Sequence, residues 1–168
     1  MMSADPARNR REPPHGSRQC LTRLPPALFR AGLGPLFGRR VLLLHEGARG
    51  DEPGRRVVLD VIEHDPDEGH WTVASPSGPE ATWYRDIRAT PKTTIQAGNH
   101  HIAVTAHFPE PDEGGEIMAR HAAAHPRAAR RLCALGGFDA DGSTHGYRLI
   151  GGLIPFVRLV AEPVRRLP

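Results

Sequence analysis

The sequence predicts an α+β protein built on a mostly antiparallel β-barrel of about six short strands, with helices placed around it. Two observations carry this reading. Segments rich in β-branched and large apolar residues recur at short intervals, separated by Gly/Pro/Asp turns, which is the pattern of a small closed sheet. Longer helical stretches are inserted between those segments and dominate the last third of the chain. A third observation removes the main competitor: no strand–GxGxxG–helix unit is present, so a dinucleotide-binding Rossmann fold is disfavoured.

The elements follow in order. Residues 1–20 read as a disordered arm and residues 21–168 as one domain. In the stretch "LPPALFRAGLGPLFGRR", Leu24, Leu28, Phe29, Leu33, Leu36 and Phe37 recur at roughly helical intervals. Pro25 and Pro26 suit a helix start, and Gly34 and Pro35 interrupt it within about two turns. "RVLLLHE" (40–46) is a strand, the loop "GARGDEPGRR" follows, and "VVLDVIEHD" (57–65) is a second strand. After the turn "DPDEG", "HWTVAS" (70–75) is a third, which completes a meander. Residues 80–89 form a helix ended by Pro91. "TTIQAG" and "HHIAVTAHF" form a hairpin across Gly98 and Asn99. The alanine-rich run from Pro111 is helical, split at Pro126 and stopped by Gly136 and Gly137. A turn and a short helix follow within "DGSTHGYRLIGG", and "LIPFVRLVAEP" is the last strand, with Pro155 at its beginning or at a sheet edge.

At 168 residues the chain has room for one domain with a proper core. Its 39% hydrophobic and 24% charged residues are ordinary for a globular protein. Lys92 is the only lysine, so arginine supplies nearly all the positive charge. A formal charge of +3 with dispersed acids suits anionic small ligands, and no RNA- or DNA-binding motif is present, which argues against nucleic acid. Cys20 and Cys133 lack disulfide-framework or metal-ligand spacing, which suits a reduced, cytoplasmic protein. No apolar run approaches the roughly 20 residues that span a bilayer. The N-terminal stretch lacks the continuous apolar region of a signal peptide.

Local sequence adds a resemblance. "RAGLGPLFGRRVLLLHEGARG", followed by "VASPSGPEATWYRDIRATPKTTIQAG", resembles the deazaflavin-dependent nitroreductase family of split β-barrel oxidoreductases, which use coenzyme F420. The similarity runs over roughly residues 27–163 and includes His125–Pro126 and the closing Pro155–Leu159 segment. It implies a split β-barrel and hydride transfer from reduced F420 to a quinone, nitroaromatic or unsaturated small molecule. The resemblance places the cofactor against Arg49, Arg55 and Arg56 of the basic loop, Ala74 and Ser75 at the end of the third strand, and Trp83 and Asp86 of the helix. Where the family has a Gly-Arg-Lys-Ser-Gly-Arg loop, this chain keeps Gly47, Arg49, Arg55 and Arg56 but carries Asp51 and Glu52 and no lysine. An alternative therefore stays open: a non-catalytic barrel, or one binding FMN or haem, that has lost the phosphate clamp.

The residues themselves supply the chemistry such a cofactor needs. A phosphodiester and carboxylates call for arginine forks and free backbone N–H groups. The loop arginines meet the first need, and the turn 75–79 with the helix start near Glu80 meets the second. Trp83 and Tyr84 point about 100° apart on a helix, so one packs inward while the other can wall a pocket; Trp83 is the candidate. A deazaflavin carries its own hydride chemistry, so no catalytic side chain is assigned. His121 and His125 have the i, i+4 spacing of a zinc clamp but no third ligand, and His100 and His101 face opposite sides of a strand, so no metal site is expected. Tyr147 is compatible with a substrate pocket by loose analogy. The apolar residues within 24–37, flanked by Arg39 and Arg40, allow a peripheral membrane contact, and a dimer is compatible with the sequence.

Overall fold

The computed structural model describes residues 40–45 and 54–163. The N-terminal arm, the apolar segment 24–37 and the loop residue Arg49 lie outside them. Six strands form a closed antiparallel barrel: β1 (Val41–His45), β2 (Arg56–Asp65), β3 (His70–Ala74), β4 (Lys92–Ala97), β5 (His100–His107) and β6 (Phe156–Ala161), in the order β1-β2-β3-β6-β5-β4. Closure leaves no exposed sheet edge. The expected meander and hairpin are present. The two pairings that close the ring, β3 with β6 and β1 with β4, join segments far apart in the chain.

Side-chain alternation explains what fills the barrel. Leu42, Leu44, Leu59, Val73, Ile95, Val104, Ala106, Val157 and Leu159 all point inward as one cluster. β1 is apolar at consecutive positions because both its faces are covered: Leu43, on the outer face, is fully buried and packs with Val58 and Val41. The β4–β5 hairpin turns through two residues, Gly98 and Asn99, and Gly98 takes φ +59°, which a glycine adopts without strain.

Four helices decorate the barrel: α1 (Thr82–Ala89), α2 (Pro111–Ala124), α3 (Pro126–Leu135) and α4 (Thr144–Gly151). The sequence places the start of α1 two residues early, at 80. Pro126 splits α2 from α3, and the turn before α4 is capped by Ser143, whose hydroxyl accepts from the Gly146 N–H at 2.9 Å. The helices α2, α3 and α4 cover the outer face of β2, β3 and β6. A second core forms there from Ile62, Ala74, Phe156, Ile117, Met118, Leu132, Cys133, Tyr147 and Ile150. Burial raises the pKa of the Cys133 thiol, so it behaves as a small apolar side chain.

One irregularity joins barrel and helices. The β2–β3 register shifts between Val61 and Glu63, so Ile62 sits in a bulge. The buried His121 of α2 sends Nδ1 to the Ile62 carbonyl at 3.1 Å. A carbonyl only accepts, so Nδ1 carries the proton. The histidine spacing that resembles half a metal clamp is therefore used by His121 to satisfy the bulge.

Candidate cofactor site at the barrel mouth

Antiparallel alternation brings the ends of β1, β3 and β5 and the beginnings of β2, β4 and β6 to one end of the barrel. α1, which links β3 to β4, crosses that end. Its inward face, Tyr84 and Ile87, is buried and joins the barrel-interior cluster. This helix is short and interrupted on both sides by proline, so packing rather than propensity holds it in place.

The register also shows how far the mouth is open. Val61 pairs with Val73, which sets Ala74 level with Asp60. β2 continues from Asp60 back to Arg56, about 13 Å at 3.3 Å per residue. The paired β1 and β2 strands thus extend past the end of β3, with exposed Arg56 in their last pair and exposed Arg55 next to it. Arg56 lies opposite His45. Burial, followed by the nearby charges of Arg56 and His101, holds the His45 imidazole below the usual histidine range. The His45 and His101 rings meet edge to face at 5.4 Å.

Ala74 and Ser75 are both buried at the end of β3. Ser75 spends its donors inside the protein: its N–H goes to the Pro155 carbonyl at 2.8 Å and its Oγ donates to Gly78 O at 2.7 Å. The Gly78 N–H in turn reaches Ser75 O at 2.9 Å, and Gly78 adopts φ +84°. The expectation that this turn offers its N–H groups to an anion is corrected for positions 75 and 78. The donors that remain include the N–H groups of Ser77 and Glu80 and those of the first turn of α1, whose N-cap Ala81 supplies no side-chain cap.

The aromatic pair divides as geometry requires. Tyr84 is only 6% exposed, while Trp83 is half-buried at the rim and stands edge to face against Tyr84 at 5.8 Å and 84°. Phe108 and Arg88, neither of them singled out by the sequence pattern, complete the support. Phe108 packs edge to face on Tyr84 at 5.8 Å, and the Arg88 guanidinium lies 5.1 Å from the Phe108 ring centre. Arg88 Nη1 also donates to the Tyr84 hydroxyl at 3.4 Å. The alternation Ile102, Val104, Ala106, Phe108 is the one sequence signal that marks Phe108 as inward-facing. Asp86 is half-buried on the same helix.

The mouth therefore combines a cationic overhang, a half-buried indole and uncapped helix donors, a donor set that fits an anionic, planar cofactor. No group of three or more metal-ligating side chains exists among the described residues. Likewise no helix among them is long and apolar enough to cross a membrane.

The fold and site together define a closed six-stranded antiparallel barrel whose mouth is crossed by a helix bearing an aromatic pair. Residues 30–131 match the model of the F420H(2)-dependent quinone reductase family, so the chain belongs to that family of oxidoreductases. The match takes in the barrel from β1 through β5, the mouth helix α1, and α2. No curated protein matches the chain. Similar solved structures include an F420-H2 dependent reductase, 20% identical over 72% of this chain and 94% of that one, TM-score 0.48. A second is a protein related to general stress protein 26, of the pyridoxinephosphate oxidase family, from Clostridium acetobutylicum. It is 6% identical over 81% and 84% of the two chains, TM-score 0.49. A third, an FAD-binding protein from Mesorhizobium loti, is 15% identical over 80% and 89%, TM-score 0.47.

Proposed function

We propose that the barrel mouth binds reduced F420 and that this chain transfers a hydride from it to a quinone. The observation that carries the reading is the family match across the strands and helix that build the mouth. The bound cofactor supplies the hydride; the protein's work is to hold, orient and shield it. Arg55 and Arg56, with Arg49 of the preceding loop, take the phosphodiester and carboxylates of the cofactor tail. Trp83 presents a flat wall to the ring system, and Tyr84, Phe108 and Arg88 fix the tilt of that wall from behind. Ala74 and Ser75 support the site from beneath: both are buried at the end of β3, and the two internal Ser75 hydrogen bonds hold that backbone in place. Asp86 sits on the same helix as Trp83 and lends polarity to the cofactor-facing rim.

Titrating the purified protein with F420, with FMN and haem as comparators, and following F420H2 oxidation with menadione as acceptor tests this reading. F420 is expected to bind in preference to FMN and haem, with menadione-dependent oxidation of its reduced form. Removing one charge-assisted contact costs about 1.5–3 kcal/mol, so Arg56→Gln is expected to weaken F420 about tenfold or more. Trp83→Leu should lower affinity without lowering the unfolding midpoint as Tyr84→Leu does. F420 binding without menadione reduction would favour a non-catalytic barrel, and preferential FMN or haem binding would replace the deazaflavin assignment.

A further inference from the structure

A cleft of about 600 Å³ opens on the outer wall of the barrel, between the β1–β2 surface and the α2–α3 pair. It is separate from the mouth described above: its β2 residues are Asp60 to His64, farther along the strand than Arg55 and Arg56 and toward the opposite end of the barrel. The volume lies within the roughly 300–1,000 Å³ of small-molecule sites.

The cleft lining is partly apolar and partly polar. Val41, Ile62, Leu132 and Leu135 supply the first. Leu135 is 41% exposed, one of three large apolar side chains so open among the described residues, and the cleft is where that surface faces. Arg40, Asp60, His121 and Arg131 belong to the second, with His64 and His125 beside them. Neither Arg40 nor Arg131 forms a hydrogen bond or close ion pair with a described residue. Glu63, which also lines the cleft, is already engaged bidentately by Arg120 at 2.9 and 3.1 Å and does not neutralise them. With the histidines neutral, two arginines against Asp60 leave the cleft one positive charge in excess (2 − 1 = 1). His121 has its Nδ1–H committed to Ile62 O at 3.1 Å, so the acceptor it retains for the cleft is Nε2. Asp60 is a second acceptor. Burial holds its carboxyl above the ordinary aspartate range even with Arg131 and His121 nearby, although the residue as a whole keeps exposed surface.

We propose that this cleft is a second small-molecule site, for a singly charged carboxylate that has a compact apolar body and a hydroxyl donor. The carboxylate balances the excess charge on Arg40 and Arg131. The apolar body covers Ile62, Leu132 and Leu135. The hydroxyl donates to Asp60 or to His121 Nε2, two cleft acceptors that no donor among the described residues reaches. This site is independent of the F420 reading, because it shares no residue with the barrel mouth.

The test uses 4-hydroxybenzoate as probe, with benzoate and phenol as partial ligands, measured by calorimetry and by amide chemical-shift changes on the full chain. 4-Hydroxybenzoate is expected to bind and to shift amides of β2, α2 and α3, with benzoate and phenol each at least several-fold weaker. Arg131→Gln is expected to weaken it about tenfold, and Leu135→Glu to abolish it by placing a carboxylate at the cleft edge. Both positions are surface-accessible helix sites, so neither change threatens folding, and circular dichroism checks this. Arg127→Gln, on the same helix but outside the cleft, is expected to leave the affinity unchanged. F420 affinity should be the same in wild type and Arg131→Gln, which separates failure of this proposal from failure of the cofactor reading. No binding at millimolar 4-hydroxybenzoate, equal binding of phenol, or equal binding by Arg131→Gln and Leu135→Glu would overturn the proposal.

Discussion

His121 shows how one side chain can take a role that its spacing does not announce. A β-bulge leaves a strand carbonyl without its ladder partner, and a buried carbonyl without a partner costs about 1–3 kcal/mol. The His121 ring meets that need for Ile62. His121→Ala is therefore expected to lower stability by at least that range, read as a shift in the urea midpoint. His121→Asn, whose amide places a donor near the Nδ1 position, should recover part of the loss. If Asn is no better than Ala, the hydrogen bond is not what His121 contributes. Residue-level legibility was uneven for the same reason. The split of Trp83 and Tyr84 follows from the 100° step of a helix and was readable. The commitment of the Ser75 N–H was not, because it depends on Pro155, which is distant in the chain and reaches Ser75 through the β3–β6 pairing.

Among the elements, α2 and α4 depend on glycine at their crossing. A Cβ on Gly151 would stand 2.5 Å from both the Gly114 carbonyl oxygen and Met118 Cβ. One on Gly115 would stand 2.8 Å from the Arg148 carbonyl oxygen. These neighbours are mostly backbone and cannot swing aside, so the helices must separate. Gly151→Ala is expected to destabilise by about 1–3 kcal/mol, despite the better helix propensity of alanine. Gly152, where the nearest neighbour of a Cβ would be 3.4 Å away, serves as the control: Gly152→Ala should cost less. Equal midpoints for the two variants would mean that the crossing tolerates a methyl group. The same pair is fastened at its surface by Arg148 and Glu116 at 2.7 and 3.3 Å, an exposed link that adds at most about 1 kcal/mol. Element positions were legible from periodicity and from proline, as at the α2–α3 break. The bulge and the glycine crossing were not, since both arise where two elements meet.

For the whole molecule, strand number and the antiparallel class were readable from alternation, whereas ring closure through β1–β4 and β3–β6 was not encoded in any local period. The outer cleft was equally hidden, because its groups come from residues 40–41, 60–64 and 121–135 and meet only after the helices dock. Docking also determines how the fold responds to acid. Burial lowers the pKa of both His45 and His121; Arg56 and His101 add to the effect at His45, and His125 adds to it at His121. A histidine with a folded-state value below its unfolded 6.5 leaves the unfolded chain binding more protons, so stability falls as the pH drops through that value. Asp60 acts in the opposite sense: its value lies above 3.8, and the stability it contributes when protonated is lost as the pH rises through its folded value. Asp65, Asp141 and Glu116, held low by backbone N–H groups, by Ser143 and by Arg148 respectively, lose their contributions only in more acidic solution. The urea midpoint is therefore expected to fall between about pH 7.5 and pH 5.5, before the carboxylates titrate. His121→Asn should show a shallower fall, and Asp60→Asn one at least as steep as wild type. A pH-independent midpoint over that window, or an undiminished fall in His121→Asn, would show that the buried histidine does not couple folding to protons.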